Sequence, residues 1–104
     1  MAESDLVRRI LNRLRTEYPC GTWYKIHTGP FQERGIPDII GCYQGLYIAM
    51  EVKTLENRKG LSEYQKLQRD KIIKSGGIFW EARSVKEALG FMGVRFKHSQ
   101  KSSL

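Results

Sequence analysis

Residues 35–53 read GIPDIIGCYQGLYIAMEVK, and this segment decides the fold because its pattern predicts two short strands joined by a turn. Pro37 favours an extended chain at its start, since the residue before a proline is disfavoured in the helical region. The pattern places a short buried strand at 38–40, a turn at 41–45 and a second strand at 46–53. If the two strands pair through this turn, Asp38 lies near the end of the second strand.

The second predicted strand has one apolar and one polar face. Successive side chains of a strand point to opposite sides of the sheet. One side carries Leu46, Ile48, Met50 and Val52, and the other carries Tyr47, Ala49, Glu51 and Lys53. Ala49 leaves room beside Glu51. We therefore expect Asp38, Glu51 and Lys53 to converge at one end of the hairpin.

An Asp, a Glu and a Lys in this arrangement indicate metal-assisted chemistry. Two buried carboxylates cost several kcal/mol per ion unless a partner compensates their charge. Hard oxygen ligands favour Mg²⁺ or Mn²⁺, and a neighbouring lysine can orient a water or neutralise charge that develops on a phosphate. The set suits hydrolysis of phosphodiester bonds. The alternative is that Glu51-Val52-Lys53 is the solvated face of an edge strand, but Asp38, 13 positions before Glu51 and preceded by Pro37, favours the metal site.

Four features, taken in order, resemble the virus-type replication-repair nuclease (VRR-Nuc) family of the PD-(D/E)xK nuclease superfamily. They are Gly35-Ile36-Pro37-Asp38, Glu51-Val52-Lys53, Leu61-Ser62 with Gln65 opening a helix, and Gly76-Gly77 before a last strand. The resemblance extends over residues 3–88. It implies a restriction-endonuclease-like core and the activity of a metal-dependent DNA endonuclease.

The resemblance also implies the residues of the site. Asp38 and Glu51 would bind Mg²⁺ or Mn²⁺, with the backbone carbonyl of Val52 as a third ligand. Glu3, at the head of the first helix, would be a direct or water-mediated ligand, and Lys53 would position the attacking water.

Two of the implied site residues also have sufficient structural roles. Gln65 would line the site, but Ser62-Glu63-Tyr64-Gln65 also fits a capping box, in which a glutamine caps its own helix. Glu3 lies in the first turn of a helix, where a carboxylate is a favourable partner of the helix dipole. The sequence leaves both pairs of alternatives open.

The resemblance further suggests the substrate and the assembly. Stand-alone members of the resembled family are phage proteins that form homodimers and resemble Holliday-junction resolvases. We therefore expect a homodimer that acts on four-way junctions or other branched DNA. The alternatives are a structure-selective, flap or restriction-type nuclease, and a catalytically silent nucleic-acid-binding module of the same fold.

Composition is compatible with these expectations. The chain has 104 residues, enough for one domain, and a net charge of +7 that favours a polyanionic partner. A basic protein without such a partner is the alternative. The sequence shows neither a run of about 18 apolar residues, as a membrane span would need, nor a signal-peptide core. Cys20 and Cys42 lie in no CxxC motif and predict reduced, buried or half-buried thiols in a cytoplasmic protein, in the host cytoplasm if a phage encodes it.

The whole chain predicts an α/β fold with a mixed sheet of about four strands flanked by helices. Helices are expected over 4–17, from Ser62 to Ser75, and from Ser84 onwards through a second capping box. The other strands are expected at 22–28 and 78–82. Residues 1–93 would form the nuclease domain, and 94–104 a basic, mobile tail.

Several further side chains have a structural and a functional interpretation. Arg8, Arg9, Arg13 and Arg15 are either a solvated helix face or contacts to DNA phosphates. His27 is either a half-exposed polar residue or a contact to phosphate or water. Phe31, in a turn-rich loop at 29–35 that also carries Arg34, either fills the core or stacks against a base.

Overall fold

The computed structural model describes residues 1–27 and 29–96, which form three helices and four strands. The helices are α1 (Glu3–Glu17), α2 (Glu63–Lys74) and α3 (Val85–Arg95), and the strands are β1 (Thr22–Lys25), β2 (Ile39–Tyr43), β3 (Leu46–Val52) and β4 (Ile78–Ala82). The predicted order of helices and strands and the predicted α/β class are confirmed. Within the described residues, no helix has both the length and the apolar character that crossing a membrane requires.

The strands form a single mixed sheet in the order β1-β2-β3-β4. β2 is antiparallel to both β1 and β3, whereas β4 is parallel to β3. The predicted β2–β3 hairpin is confirmed, with Ile39 opposite Met50. The predicted turn from Gly41 to Gly45 was too long, because residues 41–43 continue β2. The turn is Gln44-Gly45, whose φ angles of 52° and 79° suit a two-residue hairpin connection.

The main core lies between the sheet and the pair α1 and α3. α1 contributes the predicted apolar stripe, Leu6, Val7, Ile10, Leu11 and Leu14, and all five residues are buried. From β3, Ile48, Met50 and Val52 enter this core as the alternation predicts. Ala49 and Glu51, on the other face of β3, are buried as well. α2 covers that part of the second face, since Gln65 of α2 contacts Glu51.

The folded unit extends past residue 93. α3 continues to Arg95, and the buried ring of Phe96 packs edge-to-face on Tyr43 with 5.0 Å between ring centroids. The predicted boundary between domain and tail therefore lies too early by three residues, because Phe96 belongs to the core. The remainder of the predicted tail, 97–104, lies outside the described residues.

Three smaller predictions need correction. β1 ends at Lys25 rather than at Thr28, although Ile26 still donates its N–H to the carbonyl of Asp38 at 2.8 Å. Both Cys20 and Cys42 are exposed, so the prediction of buried or half-buried thiols was wrong. The predicted capping box at the start of α3 is only half present. Ser84 Oγ accepts the N–H of Glu87, but the Glu87 carboxylate accepts the N–H of Arg83 instead of that of Ser84.

A substitution at Gly41 tests how closely β1 packs on β2. A Cβ at Gly41 would meet the Trp23 ring and lie 2.5 Å from the carbonyl oxygen of Thr22. Because the Trp23 indole donates to the Tyr18 carbonyl at 3.0 Å, the ring cannot move freely. We expect Gly41→Ala to lower the free energy of unfolding by about 2 kcal/mol or more, measured by urea denaturation. The control Gly90→Ala, in open space on α3, should raise it by about 1 kcal/mol; a Gly41→Ala protein of wild-type stability would contradict the described packing.

Candidate active site

Two carboxyl groups meet at the open end of the β2–β3 hairpin. The register that pairs Ile39 with Met50 places Asp38 opposite Glu51. Oδ2 of Asp38 accepts the backbone N–H of Val52 at 2.8 Å, and the Asp38 carboxyl group is close enough to Glu51 to raise the pKa of Glu51. Only 4% of Glu51 is exposed. The hairpin thus brings together the two acidic residues that the sequence singled out.

The surroundings of Glu51 strongly disfavour its ionised form. Burial raises the pKa of Glu51 to about 9, and the charge of Asp38, its hydrogen bond and the charge of Glu3 act in the same direction. The Lys53 cation opposes this increase in the pKa. Glu51 therefore keeps its proton at neutral pH unless a further positive charge approaches the pair. A divalent cation would provide that charge.

Gln65 makes contacts that are compatible with both of the interpretations that the sequence left open. Its Oε1 accepts the backbone N–H of Ser62 at 2.9 Å, and its own N–H donates to Ser62 Oγ at 3.2 Å, which completes the capping box of α2. Its Nε2 donates to Oε2 of Glu51 at 3.0 Å. The same side chain therefore caps α2 and fixes the position of the Glu51 carboxyl group.

A polar cavity of about 330 Å³ opens beside Asp38, between the start of α1 and the chain that follows β1. Its lining includes Glu3, Lys25 and His27. Glu3 also lies in the first turn of α1, so both interpretations of this residue are compatible with its position. His27, which the sequence left open, faces the cavity. Lys25 was not considered as a site residue; its place in the same strand alternation as His27 is the signal that would have indicated it.

The donor set fits a hard divalent cation. Among residues 1–27 and 29–96, no three His, Cys, Asp or Glu side chains form a cluster that could hold a metal ion. Mg²⁺, however, is commonly bound by one or two carboxylates and keeps several waters. Asp38 and Glu51 provide such a pair. Val52 is seen to orient Asp38 through its N–H, and the predicted role of its carbonyl stays a prediction.

Most arginines of α1 have partners within the protein. Arg8 lies 3.2 Å from Asp5, and Arg13 lies 3.0 Å from Glu17, each in an exposed ion pair. Arg15 donates twice to the carbonyl of Trp23, at 2.7 and 3.2 Å. These contacts favour a structural interpretation for the three residues.

Arg83 is a neighbour of the site that the sequence analysis missed. It forms an ion pair of 2.8 Å with Glu81, which stands beside Glu51 in the parallel register of β3 and β4. Its guanidinium also donates to backbone carbonyls of the loop that follows Lys53, those of Thr54, Asn57 and Lys59. Arg83 therefore neutralises a carboxylate next to the site and holds loop 54–60 in place. The spacing of two positions between Glu81, near the end of β4, and Arg83, just after it, is the signal that could have indicated the ion pair.

Comparison with known proteins identifies the fold. No protein-family model matches the chain, and no curated protein does. A solved structure described as "VRR_NUC domain" superimposes with a TM-score of 0.67 at 21% sequence identity, covering 86% of this chain and 92% of that one. The chain therefore has the VRR-Nuc fold that its motifs resemble.

Replacing Glu51 should distinguish the destabilisation caused by burying its carboxyl group from the stabilisation that a bound cation provides. The amide of a Glu51→Gln variant would keep the hydrogen bonds of a protonated Glu51 and carry no charge for burial to disfavour, so this variant in EDTA should melt no lower than wild type. Added Mn²⁺ should stabilise wild type by about 2.7 kcal/mol at 100 times Kd, several degrees for a domain of this size. Glu51→Gln should gain almost nothing, and the exposed control Glu56→Gln should respond like wild type. Equal stabilisation of Glu51→Gln would contradict a cation at this pair.

Proposed function

We propose that this chain, which has the VRR-Nuc fold, is a metal-dependent DNA endonuclease. The observation that carries the proposal is the carboxyl pair formed by the half-buried Asp38 and the buried Glu51, with Lys53 close enough to lower the pKa of Glu51. With both groups ionised, as metal binding requires, such a pair is unfavourable in the folded protein unless a cation compensates its charge. The net charge of +7 supports a polyanionic substrate.

The residues of the site would divide the work as follows. Asp38 and Glu51 would hold Mg²⁺ or Mn²⁺, assisted by the Val52 carbonyl and, through water, by Glu3, which forms no three-carboxylate cluster with them in the described part of the chain. The bound cation would polarise the scissile phosphate and lower the pKa of a water. Lys53 would orient the attacking water and neutralise charge on the phosphate. Gln65 would act as a positioning residue by holding the Glu51 carboxyl group.

We further propose branched DNA, and four-way junctions in particular, as the substrate. The described residues form one small sheet with three helices and offer no separate domain for reading a base sequence. Recognition of DNA shape is then the simplest way to obtain specificity. A flap-type nuclease and a catalytically silent DNA-binding module are the alternatives, and the proposal places the protein in the cytoplasm with its DNA.

Cleavage assays test the proposed activity. Labelled four-way junction and linear duplex of the same sequence should be compared in Mg²⁺, in Mn²⁺ and in EDTA. Wild type should cut the junction faster than the duplex in either metal and cut neither in EDTA. Asp38→Asn and Glu51→Gln should each reduce cutting at least about 100-fold, since even the loss of a residue that only orients a metal ligand costs 10- to 100-fold.

The exposed Asp70→Asn, a matched removal of one carboxylate on α2, serves as the control and should cut like wild type. A wild-type protein that binds the junction with metal but never cuts it would support the silent module. Cutting by Glu51→Gln at the wild-type rate would refute the assigned site.

We also propose a homodimer, because residues 1–27 and 29–96 of one chain offer one such carboxyl pair whereas resolving a four-way junction takes two cuts. A two-fold dimer would supply two equivalent sites. Two copies that each carry +7 repel, so their contact needs an uncharged surface. The outer face of β1–β2–β3 provides one: Tyr24 is paired with Ile40 and Cys42 with Tyr47, and three of these side chains are exposed.

Sedimentation and plasmid cleavage test the dimer. Wild type should sediment as a dimer at micromolar concentration and convert a cruciform plasmid to linear product in one binding event. Tyr24→Glu would place a charge in the proposed interface, which should bury more than about 1,000 Å², and should give a monomer that yields nicked circles. Val94→Glu, an exposed apolar position on α3, is the control; a monomeric wild type that only nicks would contradict the dimer.

A further inference from the structure

Phe31 is a fully exposed aromatic residue at the tip of the loop between β1 and β2. Its exposed fraction is 100%, whereas Val94, the next most exposed large apolar residue of the described chain, is 73% exposed. The tip is a turn in which Gln32 donates its N–H to the carbonyl of Gly29 at 3.1 Å. The possibility that Phe31 fills the core is therefore wrong. A single exposed apolar residue is common and does not by itself indicate a function. The contacts at the base of the loop are therefore needed to interpret Phe31.

A buried glutamine holds the base of this loop on α2. Gln68 is only 6% exposed, and its Nε2 donates to Oε2 of Glu33 at 2.7 Å and to the carbonyl of Arg34 at 3.4 Å. Lys71, one turn further along α2, lies 3.6 Å from the other oxygen of Glu33. The hydrogen bond from Gln68 and the Lys71 cation both lower the pKa of Glu33, which keeps this carboxylate ionised as an anchor.

A second set of contacts fixes the loop on Tyr64, in the first turn of α2. The Arg34 guanidinium lies 5.0 Å from the centre of the Tyr64 ring and donates to its hydroxyl at 3.4 Å. Gly35 has a φ of 82°, and a Cβ there would collide with the Tyr64 backbone. Only glycine allows the loop to lie this close to the helix.

The same helix therefore positions both the loop and the carboxyl pair. Gln65 contacts Glu51, while Tyr64 and Gln68 on either side of it hold the loop that carries Phe31. Phe31 and Asp38 are 7 residues apart in sequence, which limits their separation to about 25 Å. The contacts of residues 33–35 with α2 therefore tether the loop beside the site, with Phe31 within reach of Asp38.

We propose that Phe31 stacks on the exposed face of a base at a branch point and thereby selects branched DNA for the carboxyl site. This inference rests on the proposed nuclease function. Every base offers a π-face to an aromatic ring, which makes such stacking independent of sequence. In a continuous duplex both faces of each base are already stacked on neighbours, whereas a junction or flap exposes a face at the branch. Stacking within this reach of Asp38 and Glu51 would also keep the branch close to the site of cutting.

Fluorescence of 2-aminopurine tests the stacking without requiring cleavage. The probe is placed at the branch of a four-way junction and, as reference, in a linear duplex of the same sequence, and binding is followed in EDTA. Wild type should change the fluorescence at the branch and not in the duplex. Phe31→Ala should remove this change and weaken junction binding about tenfold or more relative to duplex binding. Phe31→Trp should restore both, and the exposed control Val94→Ala should behave like wild type.

Each result has a definite meaning. A Phe31→Ala protein with the wild-type fluorescence change, or with junction and duplex affinity lowered equally, would overturn the inference. Failure of the wild type to bind either DNA would overturn it as well and would leave a protein partner as the occupant of Phe31. A Phe31-dependent signal in a wild type that never cuts DNA in Mg²⁺ or Mn²⁺ would refute the proposed nuclease function and keep the stacking.

Discussion

The hydrogen bond from the backbone N–H of Val52 to Asp38 Oδ2, at 2.8 Å, is the contact on which the site depends. It closes the open end of the β2–β3 hairpin by using a strand N–H as the donor to a side chain. It also fixes the Asp38 carboxylate next to Glu51, since the hairpin register already places the two residues opposite each other. The pairing of β2 with β3 therefore also fixes the geometry of the carboxyl pair.

α2 extends this constraint to the surface. A helix that connects two parallel strands must cross one face of the sheet, and here Gln65, in the first turn of α2, contacts the buried Glu51. Three contact positions, Tyr64, Gln65 and Gln68, divide between the loop and the carboxyl pair. This arrangement explains how a chain with a small core can hold an exposed loop close to a buried polar site without a second domain.

The basic residues of the chain act in two different ways. Arg8, Arg13 and Arg15 are engaged in contacts within the protein, and Arg83 holds the loop after Lys53 by its carbonyls. The exposed ion pairs of Arg8 and Arg13 contribute little to the stability of the fold. The net charge of +7 nevertheless acts over a distance and favours approach of a polyanion. The net charge therefore indicates the class of partner, whereas the individual contacts show which arginines have a structural role.

The sequence by itself determined the hairpin, the stripe of α1 and the capping box of α2, because periodicity and caps are local properties that nearby residues encode. It also placed Asp38 beside Glu51, since strand alternation and one turn suffice for that. Only the tertiary structure decided that Glu51 is buried, because α2 must first pack over it. The same holds for Phe96 in the core and for Gln68 bonded to Glu33, 35 positions away. Such contacts join segments far apart in the chain, and no local pattern specifies which of them meet.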